Sequence, residues 1–253
     1  MNWNGVAAIY RFEMARAQRT LWQSLVAPVI TTALYFVVFG STLGGRMSAM
    51  NGVAFGSFIV PGLILLSVFM QSIFNASFGI YFPKFTGTIY ELLSAPISSL
   101  ETVLAYVGAA VTKSLVLALV TLATATIFVP VRIDHPLAMI AFLFAICTAF
   151  CLMGFVIGIW AKNFEQLQIV PMLVVTPLTF LGGAFYSVAA LAEPWRTVTL
   201  FNPVVYLISG FRWTFYSRAD VPVLASVAVA AGIIAICLAA ISWIFRTGYR
   251  LKQ

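Results

Sequence analysis

Charge is the scarcest feature of this 253-residue chain: Asp, Glu, Lys and Arg together make up only 8% of it. A soluble domain carries about 25%, so a water-solvated exterior is excluded. Acids are the rarer sign, seven against fourteen bases. The one histidine, His135, sits beside Asp134 and Pro136. A lone histidine cannot complete a zinc site, and neither H-E-x-x-H nor G-x-S-x-G occurs. The chain has no Walker A pattern and no Gly-rich phosphate loop opening a helix. Its three cysteines, Cys147, Cys151 and Cys237, fall inside apolar runs, which excludes a disulfide framework. These absences argue against an enzyme in its own right.

What is present is apolar surface. Hydrophobic residues make up 62% of the chain and the mean hydropathy is +1.03. Residues 20–45, 47–83, 136–161, 166–192 and 221–245 contain no Asp, Glu, Lys or Arg. Spans are expected near 21–41, 54–80, 100–129, 136–160, 166–188 and 221–245. The expected fold is therefore an all-α membrane protein with six transmembrane helices. Six is even, so both termini share a side. Cytoplasmic termini place eight Lys and Arg inside (among them Lys84, Lys162 and Arg246) and five outside (Arg46, Arg132, Arg196, Arg212 and Arg218), in keeping with the positive-inside bias. The bases end apolar runs rather than clustering, so they are no nucleic-acid footprint.

Pro61, Pro171 and Pro177 are expected to start or kink helices, and Gly154 with Gly158 reads as a close-packing pair. Lys113 is the only ionisable residue well inside a span. At the bilayer centre it costs about 2.5–3.5 kcal/mol, so it either faces the bundle or snorkels toward the headgroups. The absence of a carboxylate inside any span counts against a proton-coupled carrier.

Three segments stand outside the spans. Residues 1–20 read as an amphipathic interfacial helix, with Trp3, Val6, Tyr10, Met14 and Ala17 on one side and Arg11, Arg16, Gln18 and Arg19 roughly opposite. Between spans two and three, Thr88 with Glu91 and Ser98 with Glu101 form two capping-box patterns, and Pro96 lies between them. Two consecutive start signals predict a separate short helix, carrying Leu92 and Leu93, before the chain re-enters the membrane. Between spans five and six, Glu193 and Pro194 mark one helix start and Asn202 and Pro203 another, while Trp195 suits the membrane interface. Residues 198–211 would cover only about 21 Å as a helix, so two half-helices that enter and return are expected.

The stretches TGTIYELLSAP (86–96), LTFLGGAFYS (178–187), LFNPVVYLISGFRW (200–213) and PGLI (61–64) give the chain its likeness. It resembles the ABC-2 type permeases, the membrane halves of bacterial ABC exporters, and especially the small six-span members grouped with drug, lipid and nodulation-factor exporters. The resemblance covers essentially the whole length. It implies that 84–96 is a coupling helix, with Lys84, Thr86, Thr88, Glu91, Leu92 and Leu93 meeting a separate ABC ATPase subunit. It implies that 189–215 are re-entrant helices closing the outer end of a pathway. It also implies a homodimer in the bacterial inner membrane, lipid around it, and ATP and Mg bound only by the partner. Phe36, Phe39, Phe58, Phe69, Lys113, Phe180 and Tyr186 are the pathway candidates. Export of a lipid-linked polysaccharide, an ion-coupled carrier and a non-transporting scaffold are the competing readings.

Overall fold

Helix length is what carries this chain across a bilayer and beyond it. The computed structural model describes residues 2–42 and 52–250, so Arg46 lies outside the described residues. The first helices are α1 (Trp3–Arg19), α2 (Leu21–Thr42), α3 (Phe55–Phe58) and α4 (Val60–Thr86). Next come α5 (Ile89–Ser94), α6 (Ser99–Phe128) and α7 (Pro136–Trp160). The chain ends with α8 (Phe164–Val170), α9 (Thr176–Leu181), α10 (Trp195–Leu200), α11 (Pro203–Tyr216) and α12 (Val223–Thr247). With 27 and 30 residues, α4 and α6 run about 40 and 45 Å, longer than a hydrocarbon core of about 30 Å.

Phe55–Thr86, Ser99–Phe128, Pro136–Trp160, Phe164–Leu181 and Val223–Thr247 are each long and apolar enough to cross a membrane. Helix α1 and the Ser24–Phe39 stretch of α2, bent by 57° relative to one another, make a sixth if the bent pair is taken as one span. Among the described residues the fold is all-helical, with five spans or, counting the bent α1–α2 pair, the six that the sequence leads one to expect. Its fifth span is the irregular one and ends earlier than expected, at Leu181 rather than near 188. A π-helical turn at Pro171–Val175 joins α8 to α9, because Pro171 and Pro177 cannot donate to the helical ladder. Pro61 opens α4, the start position proline tolerates.

Helix α4 is the axis of the bundle: Ile59, Val60, Leu65, Val68, Phe69 and Ile73 are completely buried. It lies against α7 so closely that a Cβ on Gly154 or Gly158 would stand 2.4 Å from the carbonyl oxygen of Ile73 or Ser77, respectively. Phe69 stacks on Phe150 of α7 at 4.1 Å. Helix α12 packs on α7 and α11, whereas α2 leans on α6 and stands off from α4. That gap leaves a groove.

Two local expectations change. Ser98 and Glu101 do form a reciprocal capping box at the start of α6. Thr88 does not cap α5; its hydroxyl lies on Thr86 Oγ1 at 2.9 Å and the Pro83 carbonyl at 3.4 Å. Gly87, at φ +81, provides the left-handed turn between α4 and α5 instead. Helix α1 also differs. It is docked along α6 through its inner face, with Tyr10 on Thr112 (2.9 Å) and Asn2 reaching the Pro96 carbonyl (3.5 Å). The Asn2 backbone N–H donates to Glu101.

Candidate functional site

Helix α5 hangs from a clamp. Four consecutive carbonyls end α7, and every one is occupied by a side chain from another element. Lys84 Nζ donates to Ile159 O (2.8 Å) and Ala161 O (3.2 Å). Arg250 Nη1 donates to Trp160 O (2.8 Å), and Tyr81 Oη donates to Lys162 O (3.1 Å). Helix C-termini leave such carbonyls orphaned and carry partial negative charge, so cations suit them. Phe164 wedges edge-on between Tyr81 and Phe85, at 4.9 Å from each. The ends of α4, α7, α8 and α12 therefore form one tied unit, and α5 follows it after Gly87 and Thr88.

On α5, only Ile89 is fully buried; Tyr90, Glu91 and Leu93 face outward, as do Phe85, Thr86 and Thr88 before it. Leu92 is half-buried against the core. Lys84 is a correction. Its ammonium is consumed by the α7 carbonyls and the residue is buried, so it holds the clamp and offers no charge to a docking partner.

At the opposite end, a buried ion pair closes the bundle. Arg212 of α11 donates to Gly183 O (2.6 Å) and Asp220 Oδ2 (3.2 Å), and its guanidinium lies 3.9 Å from the Phe58 ring centroid. Asp220 accepts from the Ser187 hydroxyl (2.5 Å) and the Val188 N–H (3.3 Å), while its own N–H donates to Ser209 Oγ (2.8 Å). One arginine thus ties the Gly-Gly turn, α11 and the approach to α12. Asn202 caps α11 through Val204 N–H (2.9 Å) and also donates to Leu178 O (2.6 Å). That contact sets the turn between α10 and α11 beside α9, while the end of α11 lies at the α6–α7 loop, where Thr214 O accepts from His135 N–H (2.9 Å). The Ser217 hydroxyl at the end of α11, with Arg132 beside it, holds the carboxyl of Asp134 in that loop below the usual carboxylate range. Glu193, Pro194 and Trp195 are exposed at the start of α10.

The pathway candidates separate by burial. Phe36, Phe58 and Phe69 are buried. Phe36 stacks on Phe128, Phe58 lies under Arg212, and Phe69 sits between α4 and α7. They are packing residues and not pathway lining, a correction to their expected role. Phe39, Phe180 and Tyr186 remain at or near the surface; Phe39 and Phe180 both pack on Phe185 (5.7 and 5.2 Å).

Lys113 does not snorkel. It faces the bundle, 3.6 Å from Glu13 of α1, which also holds Arg16 at 2.5 Å. Glu13 is the one fully buried residue of α1. Sequence reasoning missed it, although the signal was available: Glu13 is the single acid on the face shared by Tyr10 and Ala17, and Lys113 the single base inside a span. The groove between α2 and α4 begins at these charges. A stretch of about 440 Å3 there is lined by Arg16, Ser24, Gln71, Asn75, Phe78 and Lys113 among others. Gln71 continues into a second stretch with Thr31, Tyr35, Ser67 and Met70, and beyond it Tyr35 and Phe39 line a shallow patch on α2 alone. The structure therefore shows a groove along most of α2, polar at the Arg16 end and aromatic at the other.

The structure thus brings together an exposed short helix at one end, a buried Arg212–Asp220 pair at the other and a groove along α2. Residues 5–216 match the model of the ABC-2 type transporter family. The chain belongs to that family. It is 37% identical to the inner membrane transport permease YadH of Escherichia coli (strain K12) over 227 residues, which cover 90% of this chain and 89% of YadH. Nodulation protein J of Rhizobium leguminosarum bv. viciae is 22% identical over 223 residues, covering 86% and 83% of the two chains. Nodulation protein J of Rhizobium meliloti (strain 1021) is 23% identical over 217 residues, covering 83% and 80%. This ABC-2 permease is accordingly a multi-pass membrane subunit of an ABC transporter. The family match runs from the start of α1 to the end of α11, so it takes in α5, the Asn202 turn and the groove together.

Proposed function

We propose that this chain is the inner-membrane half of an ATP-driven exporter that moves an amphipathic or lipid-like substrate, paired with a second copy of itself. A separate ABC ATPase subunit binds ATP and Mg and docks on α5 on the cytoplasmic side, where both termini also lie. The observation that carries this reading is the exposed α5 face (Tyr90, Glu91 and Leu93) joined through Gly87 to the clamp on α7, α8 and α12. A push on α5 is delivered to four helix ends at once. Nucleotide binding then biases the bundle between two arrangements through its differential affinity for them. Helices α10 and α11 close the outer end, held by Asn202 and Arg212. The groove along α2, polar at one end and apolar beyond, suits an amphiphile better than a long hydrophilic polymer.

Purification of the tagged chain from native membranes is expected to bring down an ABC ATPase subunit in stoichiometric amount. Glu91→Arg should reduce that recovery at least tenfold while leaving the chain's own melting temperature unchanged, since Glu91 makes no buried contact. Absence of any ATPase in several mild detergents and nanodiscs would overturn the reading. An ion-coupled carrier is the second reading, and the buried Glu13 favours it by supplying the carboxylate that the span sequences lack. It predicts uptake into vesicles that follows an ion gradient without ATP.

A further inference from the structure

Two cations face the Arg16 end of the α2–α4 groove, and among the described residues one anion, Glu13, pairs with them. Arg16 and Lys113 both bear on Glu13, at 2.5 and 3.6 Å. Arg16 Nη1 is nonetheless buried without a hydrogen-bond partner, as is Glu13 Oε1. An unpaired guanidinium N–H in a low-dielectric site is costly, so Glu13 does not satisfy Arg16, and the accessible parts of Arg16 and Lys113, 22% and 15% of each side chain, line the open groove. Asn75 and the second amide N–H of Gln71, whose first donates to Ser24 O, add neutral donors around the same space. The ring of Phe78 lies 5.1 Å from the guanidinium, so Arg16 is held in place from the opposite side. An apolar cleft of about 260 Å3, walled by Leu21, Leu25, Val116 and Leu117, opens from the same Lys113 and Asn75.

From this juxtaposition we infer that Arg16 and Lys113 form a binding site for the anionic headgroup of a membrane amphiphile, whose chain lies in the cleft beside α2. A phosphate monoester fits best, because a guanidinium fork and an ammonium complement it at close range. Glu13 is the resident counter-charge: it keeps both cations in position when the site is empty and competes with the ligand when it is full. The inference rests on the exporter reading for its meaning as a substrate site, but binding itself requires no ATPase.

The experiment is native mass spectrometry of the purified chain titrated with dioleoyl phosphatidic acid, dioleoyl phosphatidylcholine, dioleoylglycerol and inorganic phosphate. Phosphatidic acid is expected to bind at least tenfold more tightly than dioleoylglycerol. Arg16→Gln combined with Lys113→Gln should abolish that difference, and Lys113→Arg should retain it. Glu13→Gln is expected to tighten phosphatidic acid binding several-fold, a gain that a misfolded variant would not show. Equal binding of dioleoylglycerol and phosphatidic acid, or unchanged preference in the double variant, overturns the site. Competition by inorganic phosphate as effective as phosphatidic acid overturns the amphiphile and assigns a soluble anion. Recovery of an ATPase partner is scored separately, so failure here leaves the exporter reading to its own test.

Discussion

Arg212→Ala is expected to lower the melting temperature of the purified chain more than any other single change between Asn202 and Asp220. The alanine leaves Asp220 as a buried carboxylate with only hydroxyl and backbone donors, and it leaves Gly183 O without its donor. Removing one member of a buried pair costs about 3–5 kcal/mol. The Phe58 face also loses its cation at 3.9 Å, a contact worth about 2 kcal/mol when desolvated. Arg212→Lys keeps the charge but cannot reach Gly183 and Asp220 together through a planar fork, so it should recover only part of the loss. A thermal melt followed by the retained monodisperse fraction checks this. A change within about 0.5 kcal/mol, the size of an ordinary surface substitution, would mean that the pair does not close the bundle.

Gly154→Ala should destabilise, against the sign that helix propensity predicts. In a free helix Gly→Ala gains about 1 kcal/mol. Here the added Cβ would stand 2.4 Å from the Ile73 carbonyl, and the obstacle is backbone. Helices α4 and α7 must separate, loosening the contact between Phe69 and Phe150, so a net loss of about 1–3 kcal/mol is expected. Gly232 of α12 supplies the control, because nothing lies within 4 Å of the position its Cβ would take. Gly232→Ala should be neutral or slightly stabilising. If both substitutions behave alike in the melt, close α4–α7 packing is not what holds the core.

Helix existence was legible in this chain, and side-chain assignment largely was not. Charge-free runs located the spans, and proline and capping residues located α5, α10 and α11 to within a few residues, because those signals act locally. The Asn202–Pro203 start was read correctly for the same reason. Lys84 was misjudged because its partners are carbonyls 75 and 77 residues away, which no local pattern reveals. Arg212 was counted as a loop base for the same cause. Glu13 was hidden by a helix described through its apolar and basic residues, although it pairs with a lysine on another helix. The phenylalanines failed for a different reason. Lipid tails are as apolar as a protein interior, so composition does not separate Phe69, which is packed on Phe150, from Phe180, which is exposed.

The account turns on α5 being the surface through which the ATPase drives the bundle. Photo-crosslinking in intact cells tests it most directly, with benzoylphenylalanine at position 90 and, as the opposite-end control, at position 195. Tyr90 and Trp195 are both exposed aromatics, 50% and 64% accessible, so either can accept the probe without disturbing the core. The account predicts a covalent adduct with an ABC ATPase subunit from position 90, strengthened or weakened by nucleotide state, and none from position 195. An adduct from position 195, or none from position 90 while the chain is correctly inserted, would contradict it.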